Sequence, residues 1–250
     1  MTNEISKASG MVISSMPAGE YDKRIVLLTK EYGRITVFAR GAKRPKSAYG
    51  AACEPFSMGE YYLYRGKSAY NLQKAQVSDY FTELRLDLDA IWLGSYFLEV
   101  AEYYSRENQD ESELLNLIYI SLKALTDDRF DNNLVRAVFE LKALCINGEQ
   151  PDLSCCAECS GTENLIRFVS HRNGCLCSGC ADCDGFDKGI EISQAALYAM
   201  RFVEESPIRT VFSFSADSSV IGEFSSCMKD YYKRWVERRF RTLKAMGEDL

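Results

Sequence analysis

Short runs of β-branched and aromatic residues, separated by turn-forming residues, occupy the first 80 residues of the chain. Turns are indicated at Tyr32–Gly33, in the Gly41–Gly50 loop and at Arg65–Lys67. Five such runs with no long helical pattern between them predict a small antiparallel barrel. The OB-fold, a five-stranded barrel that often binds single strands, fits this count, and an SH3-like barrel fits nearly as well. The predicted strands are Met11–Ser15, Lys23–Leu28, Arg34–Arg40, Phe56–Tyr64 and Tyr70–Val77.

From residue 81 onward apolar residues recur at intervals of three and four, which is the period of an α-helix. Gly148 and Pro151 end one helical pattern, and Ser193 is a candidate N-cap for another that ends before Pro207. A final helix is predicted from about Ser219 to Met246. The helices predicted before Pro151 are Leu86–Tyr104, Glu113–Leu125 and Asn132–Asn147.

Seven of the ten cysteines lie between Cys155 and Cys183. Two Cys-x-x-Cys pairs, Cys156 with Cys159 and Cys177 with Cys180, are separated by 17 residues, which is the spacing of a zinc ribbon. Four thiolates close the coordination shell, so the predicted Zn²⁺ is structural. Cys155, Cys175 and Cys183 are alternative ligands because each lies close to a preferred one.

A disulfide cluster is the competing interpretation of these cysteines. Residues 1–10 contain no apolar run, and no stretch of the chain approaches the ~18 apolar residues of a membrane span. We therefore expect a reducing cytosol, in which clustered cysteines more often hold metal. The isolated Cys53, Cys145 and Cys227 are most simply small core residues.

These patterns predict an α+β fold with several domains. Residues 1–80 are expected to form a DNA-binding OB-fold barrel, and residues 81–150 the first part of an all-helical domain. A zinc-binding insertion at 151–190 interrupts that domain, which resumes at 191–250 and ends in a basic helix.

Charge is distributed unevenly along the chain, although its formal net value is −6. Residues 1–80 carry 12 Lys or Arg against 7 Asp or Glu, whereas residues 81–150 carry 6 against 14. Residues 229–250 are basic again, with 7 against 4. Because polyanions respond to local patches, a net negative charge does not exclude a nucleic-acid partner.

The stretch Arg34–Lys46 combines cations with an aromatic ring. Arg34, Phe38 and Arg40 are spaced by even numbers and share one face of a strand. A loop rich in cations follows, formed by Lys43, Arg44 and Lys46, and such an arrangement suits phosphates with a base stacked on the ring. The alternative is a solvated loop with Phe38 in the barrel core, and the stretch taken alone slightly favours it.

The segment Lys229–Lys244 repeats this combination. Arg234, Arg238 and Arg241 are candidate DNA contacts, and Lys233, Arg239 and Lys244 add to the charge. Tyr231, Tyr232, Trp235 and Phe240 are interleaved with them. This is either a second nucleic-acid surface or a solvated helix face with its aromatics packed inward.

Residues for catalysis are sparse. The single histidine, His171, lies in the cysteine-rich segment, and there is no phosphate-binding GxxxxGK[ST] loop. The acidic residues Asp87, Asp89, Asp127, Asp128 and Asp131 lie around the starts of predicted helices, where capping and compensation of the helix dipole explain them more simply than a two-metal nuclease.

The order of these parts, together with local strings, resembles the RecO family of bacterial recombinational repair proteins over essentially the whole chain. One departure is Cys175, where the family commonly has a second glycine, and it leaves the third ligand open to exchange between Cys175 and Cys177. The strings that carry the resemblance are Gly10–Ile13, Glu20–Asp22, Ile25–Thr29, Glu31–Gly33, Ala39–Ser47, Pro55–Phe56, Pro151–Leu153 before Cys156, Phe168, Gly174 before Cys177, and Arg241–Lys244.

The resemblance implies a mediator of DNA repair and not an enzyme. RecO-like proteins bind single- and double-stranded DNA, anneal complementary strands, and act with RecR to load RecA onto DNA coated by single-stranded DNA-binding protein. It also implies a cytoplasmic, nucleoid-associated bacterial protein, with the acidic tail of single-stranded DNA-binding protein as a partner. Two other readings compete: a generic zinc-ribbon module acting on RNA or in transcription, and an enzyme using Cys-x-x-Cys as a redox pair. The βαβ context of redox pairs is absent.

Overall fold

The computed structural model describes residues 5–66, 69–182 and 189–247, and it divides the chain into two compact units, Met1–Lys123 and Ala124–Leu250. The first unit begins with five strands: β1 (Ile5–Ala18), β2 (Asp22–Thr29), β3 (Gly33–Ala39), β4 (Met58–Arg65) and β5 (Tyr70–Asp79). They close into a barrel in the order β1-β2-β3-β5-β4. All pairs are antiparallel except β3 with β5, which is parallel at Val37 opposite Tyr70. The predicted barrel is confirmed.

Alternation along β3 decides which side chains enter the barrel. Ile35, Val37 and Ala39 are buried in its core, together with residues of the other strands such as Leu27 and Tyr61. Arg34, Thr36 and Phe38 are half-buried on the outer face. The alternative that placed Phe38 in the core is therefore wrong, because only one face of a closed barrel meets the interior.

Two helices complete the first unit, α1 (Leu88–Tyr104) and α2 (Ser112–Ala124). The Asp87 carboxylate caps α1 by accepting from the backbone N–H groups of Asp89 and Ala90, at 2.8 and 3.1 Å. The capping interpretation of Asp87 is confirmed, since its oxygen satisfies amides that have no partner within the helix. The predicted start at Leu86 is two residues early, because Glu83–Leu86 form a separate 3₁₀ turn.

The second unit holds α3 (Asn132–Asn147), α4 (Gln194–Glu205), α5 (Ser218–Trp235) and α6 (Arg241–Ala245). Between α3 and α4 in the chain lie four short strands, β6 (Asp152–Cys156), β7 (Leu165–Val169), β8 (Gly174–Cys177) and β9 (Ile190–Glu191), in the sheet order β6-β8-β7-β9. Helix α3, which precedes the small sheet in the chain, packs against helices that follow it. The Tyr232 hydroxyl of α5 donates to the Glu140 carbonyl of α3 at 3.1 Å.

The single C-terminal helix predicted from Ser219 to Met246 is wrong. Helix α5 ends at Trp235, Val236 is extended at φ −95° and ψ 107°, and α6 begins only at Arg241. In a continuous helix Arg234, Arg238 and Arg241 would be neighbours, and like charges at such spacing cost about 0.2–0.5 kcal/mol per pair. The break places the three arginines on different pieces of backbone and still buries the apolar residues Val236, Phe240 and Leu243.

Charged side chains tie the small sheet to the helices of the second unit. The Arg201 guanidinium of α4 donates to the Leu153 carbonyl of β6, with Nε at 2.8 Å. Lys142 of α3 is buried, and its ammonium donates to the Val203 and Glu204 carbonyls at 3.2 and 2.9 Å.

Burial, followed by the negative charge of Asp152, raises the pKa of the Glu204 carboxyl to about 7. Ionising Glu204 therefore opposes folding of this unit.

We expect the Glu204 carboxyl to make stability depend on pH. Its pKa in the folded chain, about 7, lies above the ordinary 4.5, so its protonation stabilises the fold below the ordinary pKa and this contribution is lost as the pH rises through 7. Glu204→Gln should raise the urea midpoint at about pH 8 and raise it much less at about pH 5. Urea unfolding at the two pH values measures this. The exposed neighbour supplies the control, Glu205→Gln, and an equal gain at both pH values would contradict the assignment.

Candidate metal centre and nucleic-acid interface

Four cysteine sulfurs converge at one end of the small sheet. The Sγ atoms of Cys156, Cys159, Cys177 and Cys180 all lie within 4.8 Å of one another. The sulfurs of Cys159 and Cys177 lie 3.7 Å apart. Four sulfurs at such separations can surround a single metal ion in tetrahedral geometry.

Two similar turns bring the sulfurs together. Strand β6 ends at Cys156, whose carbonyl accepts from the Ser160 N–H at 2.9 Å, and this closes the turn that presents Cys159. Strand β8 ends at Cys177, whose carbonyl accepts from the Cys180 and Ala181 N–H groups at 3.0 and 2.9 Å. The two strands are neighbours in the sheet, so a spacing of two residues within each pair is enough to aim all four sulfurs at one point.

The electrostatics of the cluster favour a bound cation. Burial raises the pKa of the Cys156 thiol, but hydrogen bonds from the backbone N–H groups of Cys159, Cys177 and Glu158 outweigh it and lower that pKa to about 6. Hydrogen bonds with the sulfurs of Cys177 and Cys159 raise the pKa of Cys180 to about 12. The first thiolate to form therefore opposes ionisation of the others, and a metal cation would allow all four to ionise.

The alternative ligands point elsewhere or cannot be described. The Cys155 thiol lies 3.6 Å from the Asp152 carboxylate and is not among the four converging sulfurs. Cys175 is fully buried, and burial raises the pKa of its thiol to about 12. Cys183 lies outside the described residues. The preferred set is the one that the structure brings together, and its occupation by metal stays a prediction.

The loop after β3 exposes a group of cations, and we call residues Arg40–Gly50 the basic loop. Arg40, Lys43, Arg44 and Lys46 are exposed. The turn between β1 and β2 holds this loop: the Gly41 N–H donates to the Asp22 carboxylate at 2.7 Å, and the Lys43 N–H donates to the Tyr21 carbonyl at 2.8 Å. The Arg44 guanidinium lies 5.3 Å from the centre of the half-exposed Tyr21 ring.

Arg34 has a different role from the cations of the basic loop. Gly33, at φ +65°, lets the segment after α1 approach so closely that a Cβ there would lie 2.1 Å from the Arg106 carbonyl. The Arg34 N–H donates to that carbonyl at 2.9 Å, and its guanidinium donates to the Glu102 carbonyl near the end of α1. The predicted shared face with Phe38 is confirmed, but the Arg34 head group is engaged in holding α1.

Two residues beside this surface were missed from the sequence. Arg24 of β2 pairs with Phe38 in the barrel register, and its guanidinium lies 3.4 Å from the Thr36 hydroxyl on the same outer face. Together with Arg34 it lines a cleft of about 280 Å³. Tyr21 was missed as well. The turn between β2 and β3 could have suggested Arg24, because it fixes which residues of the two strands face each other.

The C-terminal cations lie on three different pieces of backbone. Arg234 is exposed in the last turn of α5, Arg238 is half-buried in the extended segment, and Arg241 is exposed at the start of α6. The aromatics of this segment also divide. Tyr231, Tyr232 and Phe240 are buried, whereas Trp235 is 45% exposed. The inward-packing alternative therefore describes three of the four rings.

No helix in the described parts of the chain is both long and apolar enough to cross a membrane.

Comparison with known proteins finds two family models along the chain. The model described as "Recombination protein O N terminal" matches residues 1–81, and the one described as "Recombination protein O C terminal" matches residues 85–244. The DNA repair protein RecO of Acetivibrio thermocellus is 32% identical over 240 residues, which cover 95% of this chain and 94% of that protein. The DNA repair protein RecO of Clostridium novyi is 28% identical over 241 residues, covering 96% and 93%.

We expect the converging cysteines and their neighbours to differ in metal retention. Cys159→Ala removes a sulfur from an exposed position and should lower the metal content of the purified protein to well below one ion per chain, because three thiolates leave the shell open. Cys155→Ala is the matched control and should retain the metal. Plasma mass spectrometry of both variants measures this, and equal loss from the two would contradict the assignment.

Proposed function

Because the chain belongs to the RecO family of DNA repair proteins, we propose that it is a recombination mediator that binds single- and double-stranded DNA and anneals complementary strands. The observation that carries this proposal is the basic loop beside an OB-fold barrel. The loop exposes four cations, and the Arg44 guanidinium lies over the Tyr21 ring. Phe38 is on the outer face of the strand that leads into the loop. This combination suits a strand whose phosphates meet the cations and whose bases stack on a ring.

The loop is arranged to leave its cations available. The Asp22 carboxylate accepts from the Gly41 N–H and so fixes the loop backbone. The ammonium of Lys43 reaches only a backbone carbonyl, that of Gly19 at 3.3 Å. Arg40 and Lys46 form no side-chain ion pair with any residue that the structure describes. Little has to be broken before phosphates bind.

Annealing follows from the same electrostatics. Two polyanions repel each other, and cations on the barrel and on the C-terminal segment would reduce this repulsion while leaving the base edges free to pair. We assign DNA contact to Arg40, Lys43, Arg44 and Lys46 of the loop. Arg34 is expected to contribute less, since its guanidinium already binds the Glu102 carbonyl. Arg234, Arg238 and Arg241 are proposed to form a second contact region.

We propose that the four converging sulfurs hold Zn²⁺ in a structural role. The donor set fits the ion, because four thiolates satisfy a tetrahedral preference and leave no position for substrate. Bound there, the ion would join the two turns at the ends of β6 and β8. Metal binding and folding of the sheet would then be coupled, as in other small cysteine sites.

The proposed role requires partners and no catalytic residues. We infer RecR, the acidic tail of single-stranded DNA-binding protein and, indirectly, RecA as partners, and a cytoplasmic location close to the nucleoid. We keep the division into a DNA-binding barrel at residues 1–80, a helical domain at 81–150 and 191–250, and a zinc-binding insertion at 151–190 as part of this proposal.

Reversing the charge of the basic loop tests the DNA surface. The triple change of Lys43, Arg44 and Lys46 to Glu should weaken binding of a labelled oligothymidylate strongly. It should also lower the slope of log affinity against log salt by about 2, since each neutralised phosphate of a single strand contributes about 0.7. Fluorescence anisotropy across a salt series measures both quantities. Thermal stability should change little, because these side chains are exposed.

The matched control is Arg209→Glu, which reverses an exposed charge in the second unit outside either basic region. It should leave affinity and slope close to those of the unaltered protein. If the triple variant kept the full salt slope, the basic loop would not be the DNA surface.

A further inference from the structure

Trp235 is the one aromatic residue of the C-terminal basic segment that stays open to solvent. It ends α5, its side chain is 45% exposed, and its indole N–H donates to the Ser170 carbonyl at 2.7 Å. The neighbouring Tyr231 ring, 6.1 Å away between centroids, is buried. The polar edge of the indole is therefore satisfied by the protein while part of the ring remains accessible.

A large aromatic ring that is held at its polar edge and exposed on part of its face is a stacking surface. Holding the indole edge on a carbonyl fixes the ring before any ligand arrives, so little side-chain freedom is lost on binding. An exposed apolar ring costs free energy in water, and burying it under a base recovers that cost. Tyr231, Tyr232 and Phe240 lack this accessibility, which singles out Trp235.

The surroundings of Trp235 select an anionic ligand. Residues 231–245 carry six Lys or Arg against one Glu. Lys233, Arg234 and Arg239 are exposed within four residues of the ring along the chain. An accessible indole within such a segment matches single-stranded DNA, which presents both negative phosphates and unpaired bases.

The ring is held by the cysteine sheet. Ser170 begins the 3₁₀ turn Ser170–Arg172, which joins β7 to β8, and β8 ends at the sulfur ligand Cys177. A second bond links the same turn to α5, because the Tyr231 hydroxyl donates to the Asn173 side-chain oxygen. The hairpin that carries part of the metal shell therefore also fixes the end of α5.

We propose that Trp235 is the stacking platform of a second single-strand site, separate from the basic loop, and that the metal-bearing hairpin holds this platform in place. The site deepens the proposed function and rests on it, since it is the DNA-binding role that gives the ring its ligand. One chain would then offer a single-strand site on each of its two units, so it could hold two strands at once, as annealing requires.

Tryptophan fluorescence tests the platform directly, because the chain has only two tryptophans, Trp92 and Trp235. In the full-length Trp92→Phe variant all tryptophan emission comes from Trp235. Titration with an unlabelled oligothymidylate should quench this emission to saturation, and added salt should reverse the quenching. The matched variant Trp235→Phe retains Trp92 alone and should show no quenching.

Anisotropy of a labelled oligothymidylate, measured on the same variants, separates failure of the second site from failure of the proposed function. Binding without quenching of Trp235 would overturn the second site and leave the basic loop as the DNA surface. Absence of binding altogether would overturn both. In the triple Glu variant of the basic loop, Trp235→Ala should weaken the remaining binding by about fivefold or more, and unchanged affinity would also contradict stacking.

Metal removal tests the second half of the proposal. A strong chelator under reducing conditions, with metal loss verified by native mass spectrometry, should move Trp235 emission to longer wavelength and reduce its quenching by DNA. Unchanged emission and quenching after metal loss would show that the hairpin does not hold the ring. If circular dichroism showed loss of helix after chelation, the variant Asn173→Gly would take the place of metal removal. This change keeps the left-handed backbone at φ +55° and removes only the contact with Tyr231. The same fluorescence readouts then apply, with the same meaning.

Discussion

Closure of the barrel is the constraint on which the first unit depends. A closed sheet has one interior, and alternation sends every second residue of β3 into it, so Ile35 and Val37 enter while Arg34 and Phe38 are left outside. The barrel order pairs β3 with β5 only at Val37 and Phe38, and the chain beyond Ala39 leaves the sheet as the basic loop. Cations at this point need no desolvation, because they never enter the core. The placement of the basic loop is thus a consequence of how the sheet closes.

The second unit depends on a different constraint, the convergence of four thiols at one point. A bound cation would relieve the repulsion between their thiolates. Two turns at the ends of β6 and β8 bring the thiols together, and the neighbouring sulfurs raise the pKa of Cys180 whereas backbone N–H groups lower the pKa of Cys156. The same sheet is tied to α4 through Arg201 and Leu153, and to α5 through Ser170 and Trp235. A metal in this cluster would therefore stabilise the contacts that order the helices around it.

Sequence patterns predicted what local spacing determines. The Cys-x-x-Cys pairs, the Asp87 and Ser193 caps and the strand alternation each depend on residues a few positions apart, and the structure has all of them. What the patterns missed depends on distant partners. The carbonyl that binds the Arg34 guanidinium belongs to Glu102, 68 residues later, and the one that binds Trp235 belongs to Ser170, 65 residues earlier. The break at Val236 has no Gly or Pro to mark it, so helical propensity predicted continuity where packing of Phe240 and Leu243 prevails.

Membership in the RecO family establishes a protein of DNA repair and recombination, and the basic surfaces give that role a physical basis in charge neutralisation. The most direct test of this account is to measure the rate at which two complementary fluorescent oligonucleotides anneal, with and without the protein, across a salt series. The account predicts strong acceleration that needs no nucleotide and fades as salt rises, because released counterions supply the driving force. No acceleration by folded, metal-loaded protein at low salt would contradict it.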